Sequence, residues 1–132
     1  MIQKNILALA IISLALLSAC AQIETPKEIA KKITTRAGEL TLKYNNGQAT
    51  LSGSLFRSTP CVSWKVNVIT TKDLPISQVD VNIYDENRNK DIVCIQVVAE
   101  PQEIYEVIEN VSGNTEYTIK FEEAMVFSGK LQ

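Results

Sequence analysis

The residues of this chain that could carry chemistry are three cysteines, Cys20, Cys61 and Cys94, and a few clusters of acidic side chains. The sequence contains no histidine, which excludes a Ser-His-Asp triad, a Cys-His pair and any histidine-ligated metal site. Its five glycines are scattered and form no phosphate-binding loop. Acidic pairs could still act as acid and base, and the candidates are Glu103, Glu106 and Glu109, and Glu122 with Glu123. We interpret both sets as solvated surface and expect no enzyme activity.

The densest polar cluster is Asp85-Glu86-Asn87-Arg88-Asn89-Lys90-Asp91, in which oxygen-bearing side chains alternate as at the start of a calcium loop. The pattern then departs from that loop. Lys90 stands where a glycine is required for the sharp turn, and Gln96 stands where a bidentate glutamate is required. We therefore interpret the cluster as a connection between two strands, with calcium binding as the alternative, and predict no cofactor.

The first twenty residues have the form of an export signal. Lys4 precedes a twelve-residue apolar run from Ile6 to Leu17, which is too short to span a bilayer as a stable helix. The motif Leu17-Ser18-Ala19-Cys20 resembles the lipobox of prokaryotic lipoproteins. The resemblance implies cleavage before Cys20 and a lipid, with fatty acids such as palmitate, on its thiol. A plain secretory signal and an uncleaved anchor are the alternatives.

Export and lipidation leave two cysteines to account for. Because an exported chain reaches a compartment that permits oxidation, we predict a disulfide between Cys61 and Cys94, with two free buried thiols as the alternative. Both cysteines lie in phase with polar residues of predicted strands, so the bridge is expected to join neighbouring strands and to stay partly exposed. The remaining 12 basic and 15 acidic residues are too balanced to indicate a nucleic-acid partner.

Apolar residues alternate with polar ones from Glu39 onward, which predicts a series of strands. Asn46-Gly47 is typical of the tight turn of a hairpin, and Ser112-Gly113-Asn114 predicts another turn. The segment from Glu103 to Val111 is ambiguous between a strand and a short helix, and we favour the strand. The residues expected to be mostly buried are Leu42, Leu51, Trp64, Val66, Val81, Ile83, Val93, Ile95, Tyr117 and Ile119.

The residues before the strands have a helical start signal. Thr25-Pro26-Lys27-Glu28 has the form of a capping box with proline at the first helical position, and Gly38 is a stop. This predicts a short helix from Pro26 to about Arg36, with a disordered tether as the alternative. The predicted organisation is a signal peptide over 1–19, a lipidated tether or short helix over 20–38, and a β-sandwich domain over 39–132.

The fold class predicted for this domain is all-β, with seven or eight short antiparallel strands in one sandwich. Thr59-Pro60-Cys61, Asp91-Ile92-Val93-Cys94-Ile95-Gln96 and the stretch from Gly113 to Tyr117 resemble small secreted or lipid-anchored immunoglobulin-like domains of unknown function in prokaryotes. That resemblance implies a fold and a compartment and transfers no catalytic residue.

These features together predict a lipoprotein of the cell envelope, anchored to the cell membrane or outer membrane and facing the extracytoplasmic side. We expect a non-catalytic binding or structural module that acts on an extracytoplasmic protein partner. The alternative is a protease inhibitor that presents a rigid loop such as Arg57-Ser58-Thr59-Pro60 or Thr71 to Pro75.

Overall fold

The computed structural model describes residues 28–131, which form eight β-strands in two sheets. The predicted signal peptide and Cys20 lie outside the described residues. The strands are β1 (Ile29–Thr35), β2 (Gly38–Asn45), β3 (Gln48–Leu55), β4 (Trp64–Thr70), β5 (Ile76–Asp85), β6 (Gln102–Glu109), β7 (Val111–Phe121) and β8 (Ala124–Lys130). The described part of the chain contains no helix long and apolar enough to cross a membrane.

The strands are arranged as an all-β sandwich, as predicted. One sheet has the order β1-β2-β3-β6 and the other has the order β4-β5-β7-β8. Five of the six strand pairs are antiparallel, but β5 and β7 run parallel, which the expectation of purely antiparallel strands did not include. The first three strands form a simple meander, so the order within the sheets differs from that of an antibody constant domain.

The hairpin between β2 and β3 has the predicted turn. Asn46 has a φ of 50° and Gly47 a φ of 84°, which are the left-handed values that a two-residue hairpin turn requires. The predicted turn at Ser112-Gly113-Asn114 is instead an irregularity within β7, where the register with β5 shifts. The chain reverses two residues before Ser112, at Asn110, which has a φ of 61°. The ambiguous segment from Glu103 forms a strand, since β6 pairs along its whole length with β3.

The core lies between the two sheets and consists mainly of the apolar residues that alternate along the strands. Seven of the ten residues predicted to be buried are so: Leu42, Leu51, Trp64, Val81, Ile83, Tyr117 and Ile119. Val66 is half-buried on the edge strand β4. Val93 and Ile95 are exposed, so the prediction for these two residues is wrong.

The predicted helix from Pro26 to Arg36 is also wrong over its described part. Residues Ile29–Thr35 form β1 and pair in unbroken register with β2, from Ile29 opposite Tyr44 to Thr35 opposite Gly38. Ile33 and Thr35 are buried with a period of two. A three-turn helix with a weak apolar face has little stability of its own, so pairing with an available strand determines the structure. The first sheet therefore begins before residue 39, where the predicted sandwich starts.

The two ends of the sandwich differ. Strands β1 and β3 start, and β2 ends, at the end that holds Glu28 and the Asn46-Gly47 turn. The opposite end holds the turns at 36–37 and 122–123, the β3–β4 loop at 56–63 and the β5–β6 connection at 86–101. We call this second end the loop end. Since the eight residues of β2 run from one end of the sandwich to the other, the loop end lies roughly 25 Å from Glu28.

Candidate functional site

The loop end is held together by the predicted pair of cysteines. Cys61 and Cys94 lie at disulfide distance, with Cα atoms 5.8 Å apart, and the bridge joins the 56–63 loop to the 86–101 connection. Neither cysteine lies in a strand, so the expectation of a bridge between neighbouring strands is wrong. Residues 92–98 alternate like a strand, but they pair with no strand of either sheet. The bridge therefore fixes two long loops that the sheets leave free.

Asp85 organises the backbone around this bridge. Its Oδ1 accepts hydrogen bonds from the N–H groups of Ser63 at 3.1 Å and Asn87 at 3.0 Å. The Asn87 side chain in turn donates to the carbonyl of Cys61 at 2.8 Å, and the Ser63 hydroxyl donates to Glu86. Within residues 28–131 there is no group of three or more acidic or cysteine side chains that could hold a metal ion. Asp85, Glu86 and Asn87 thus attach the 56–63 loop to the start of the 86–101 connection.

Two further side chains hold the loop end together, one between the two sheets and one between the two loops. Gln102 accepts a hydrogen bond from the Trp64 N–H and donates one to the Trp64 carbonyl, each at 2.8 Å, so its amide takes the place of a neighbouring strand. Arg57 donates from Nε to the Glu100 carbonyl at 2.8 Å and from Nη1 to the Val62 carbonyl at 3.5 Å. Arg57 is half-buried, and the two hydrogen bonds hold its guanidinium against backbone carbonyls of both loops. The Thr71–Pro75 loop lies at the opposite end.

A polar groove crosses the loop end between the two sheets. It consists of three adjoining depressions of about 500, 360 and 370 Å³, and Arg88 lines all three. Arg36 and Glu122 form an ion pair in its wall, and the Arg36 guanidinium lies 5.9 Å from the centre of the Phe121 ring. Glu122 and Glu123 have φ values of 47° and 71°, which are unfavourable for residues other than glycine. The groove therefore presents charges of both signs on a constrained turn.

The predicted acid–base candidates lie on two different elements, β6 and the 122–123 turn. Glu103 and Glu109 are exposed on β6, and Glu106 is half-buried on the same strand. Glu122 is held by Arg36, while Glu123 is exposed beside it. Of these carboxylates, Glu122 is engaged in the ion pair with Arg36, and Glu106 is half-buried on a different element.

An exposed apolar stretch lies beside the groove. We call residues 92–98 the apolar segment. Its exposed side chains have relative accessibilities of 47% for Ile92, 101% for Val93, 73% for Ile95, 53% for Val97 and 77% for Val98. Scattered single apolar residues are normal on a protein surface, but a run of this length is typical of an interaction site.

The comparisons with known proteins add no relative. No protein-family model, no curated protein and no solved structure matches the chain. The fold and the loop end therefore define the class, a two-sheet all-β sandwich with a disulfide-braced loop surface.

Sequence reasoning missed the groove. Arg36 was assigned to a helix, and Arg88 was considered only as a charge that opposes calcium binding. Nothing in the sequence links Arg36 to Glu122, because their proximity depends on the packing of β1 against β8 across the two sheets. The sequence shows the apolar segment as a run of branched residues, but its alternation predicts a strand with Val93 and Ile95 in the core.

Proposed function

We propose that this protein is a lipoprotein of the cell envelope, anchored to a membrane through lipid on Cys20, whose sandwich is a non-catalytic binding module. The anchor rests on the lipobox-like motif Leu17 to Cys20. A diacylglyceryl group carries two chains, which suffices for stable attachment. Like immunoglobulin-like sandwiches, the domain would present loops on a rigid scaffold to an extracytoplasmic protein partner.

The observation that carries this proposal is the placement of the loop end. Glu28 follows Cys20 by eight positions and lies at the opposite end of the sandwich. Eight residues extend to about 28 Å at most, so the tether keeps the Glu28 end near the lipid and leaves the loop end free to face away from the membrane. The groove and the apolar segment are then the surfaces most accessible to another protein.

A non-catalytic role is supported by the chemistry of the same surface. The chain has no histidine, Glu122 is paired with Arg36, and Asp85 accepts two backbone hydrogen bonds. Of the charged groove residues, Arg88 and Glu123 are exposed and make no ion pair among the described residues, so they present opposite charges suited to complementary contact.

The anchor is tested with Cys20→Ser. We expect this variant to lose incorporation of labelled palmitate and to leave the detergent phase, because no acyl chain is then attached. The matched control is Cys61→Ser, which breaks the disulfide but leaves the motif intact and should keep the label. Unchanged detergent partitioning of Cys20→Ser would contradict the anchor.

The binding surface is tested with Arg88→Glu in the full-length protein. Capture from detergent-solubilised membranes should recover a partner with the native chain. Less of that partner should be recovered with Arg88→Glu, since the reversed charge repels the partner's surface that is complementary to the groove. Lys72→Glu, an exposed charge at the opposite end, is the control and should recover the native amount. Equal loss in both variants, or no loss with Arg88→Glu, would place the binding surface elsewhere.

A further inference from the structure

The apolar segment has the composition of a strand but no strand partner. Between Asp91 and Glu100 the chain carries no charge and no proline, and its residues are mostly β-branched. Cys94 fixes the segment to Cys61 through the disulfide. Sequences of this kind, when exposed and unpaired, readily pair with another strand.

The backbone of the segment is also open for pairing. Among the described residues, its backbone–backbone hydrogen bonds are two short-range ones, from the Ile92 N–H to the Lys90 carbonyl and from the Val97 N–H to the Ile95 carbonyl. Both close three-residue turns, which an incoming strand can replace. The other amides and carbonyls of the segment are therefore available to a second strand without breaking either sheet.

The order of residues in the segment is self-complementary about Ile95. In an antiparallel pairing of two copies centred there, apolar residues oppose apolar residues: Ile92 faces Val98, Val93 faces Val97, and Ile95 faces its own copy. Cys94 faces Gln96 on the side that carries the disulfide. Two positions beyond the apolar segment at each end, Lys90 faces Glu100, so each end of the pairing joins opposite charges.

We propose that a second copy of this chain occupies the apolar segment, forming an antiparallel strand pair centred on Ile95 with twofold symmetry. A twofold contact uses the same patch on both copies, and the matched apolar and charged positions satisfy that condition. The proposal does not depend on lipid on Cys20 or on the partner of the groove. A seven-residue strand pair is smaller than a standard interface, so we expect micromolar or weaker self-association.

The first test measures the mass of the full-length protein by sedimentation equilibrium in a density-matched detergent, at protein concentrations from about 5 to 500 μM. We expect a reversible monomer–dimer equilibrium. Ile95→Lys should weaken it at least about tenfold, because two like charges then meet at the symmetry axis. Ile95 is 73% exposed, so this variant should fold, which far-UV circular dichroism checks. The matched control is Ile69→Lys on β4, where the isoleucine is 60% exposed, and it should dimerise like the native chain.

The second test reverses the charges at the ends of the pairing. Lys90→Glu and Glu100→Lys should each weaken dimerisation about fivefold, because each makes two like-charge pairs. The double variant should regain the native affinity to within about twofold. An equimolar mixture of the two single variants should also dimerise, which an interaction within one chain cannot explain.

Three results would overturn the proposal. The first is a protein that stays monomeric at every concentration. The second is a dimer that Ile95→Lys leaves intact, or that Ile69→Lys weakens as much as Ile95→Lys does. The third is a mixture of the two charge variants that dimerises no better than either variant alone.

Discussion

Replacing Tyr117 by phenylalanine is expected to stabilise the protein, and increasingly so at alkaline pH. Tyr117 lies on β7 and is 1% exposed. Its hydroxyl is buried and has no hydrogen-bond partner among the described residues. A buried hydroxyl without a partner costs about 1–3 kcal/mol in lost hydration. Tyr117→Phe removes that group and keeps the ring, so at pH 7 the free energy of unfolding should rise by about 1 kcal/mol.

The pH dependence follows from the phenol. Burial, with a smaller contribution from Tyr44, raises the pKa of Tyr117 to about 12 from its ordinary value of 10.0. Because the neutral phenol is favoured in the folded state, its contribution to stability is complete below pH 10 and is lost as the pH rises toward 12. At pH 11 the native protein should have lost between about 1 and 2 kcal/mol through this group. Tyr117→Phe has no such loss.

Urea unfolding followed by far-UV circular dichroism at pH 7 and pH 11 measures both effects. The stability difference between Tyr117→Phe and the native protein should grow by between about 1 and 2 kcal/mol over this range. Tyr105→Phe is the control, because Tyr105 is 71% exposed on β6 and should show neither effect. A Tyr117→Phe variant that is less stable at pH 7, or one that follows the native protein's alkaline loss, would refute the reasoning.

Three other changes test the packing and the bridge. Trp64→Ala should lower the free energy of unfolding by about 3–5 kcal/mol in urea, because it removes the ring packed 4.8 Å from Phe121 and the hydrogen bond from Nε1 to the Phe56 carbonyl; a loss below about 1 kcal/mol would contradict this. Reducing the Cys61–Cys94 bridge should cost about 3–4 kcal/mol and lower the melting temperature, and mass mapping should find the pair linked in the native protein; free thiols there would disprove the assignment. Gly53→Ala should strongly lower the melting temperature, since its Cβ would lie 2.6 Å from the Glu39 carbonyl oxygen. The control is Gly129→Ala, whose Cβ would have nothing within 4 Å and which should lower the melting temperature less. Equal decreases for the two variants would show that the clash is not the cause.

Much of the sandwich is predictable because apolar and polar residues alternate along its strands and because one of its turns has the Asn-Gly sequence typical of a hairpin. Leu40, Leu42, Leu51 and Leu55 are each in phase with a buried face, and Asn46-Gly47 marks the reversal between them. The Glu122-Glu123 turn carries no such signal, because glutamate rarely takes positive φ. Here the pairing of Phe121 with Ala124 imposes the turn on residues that do not favour it.

The two errors in secondary structure have one physical origin. Ile29–Thr35 forms a strand because it pairs with β2, whereas Val93 and Ile95 pair with no strand of either sheet. Alternation and capping signals describe what a segment favours on its own, but a strand exists only where another strand meets it. The same limit applies to the parallel pairing of β5 with β7 and to the groove, which both depend on contacts between distant segments.

The position of the bridge has a mechanical consequence. Cys61 and Cys94 are separated by 33 positions, and the chain between them contains all of β4 and β5. If the protein were pulled apart between Glu28 and Leu131, that stretch could not extend while the bridge was intact. Roughly 110 Å of contour length would stay hidden and be released only on reduction. A stretched molecule would thus report the state of its bridge as a difference in length.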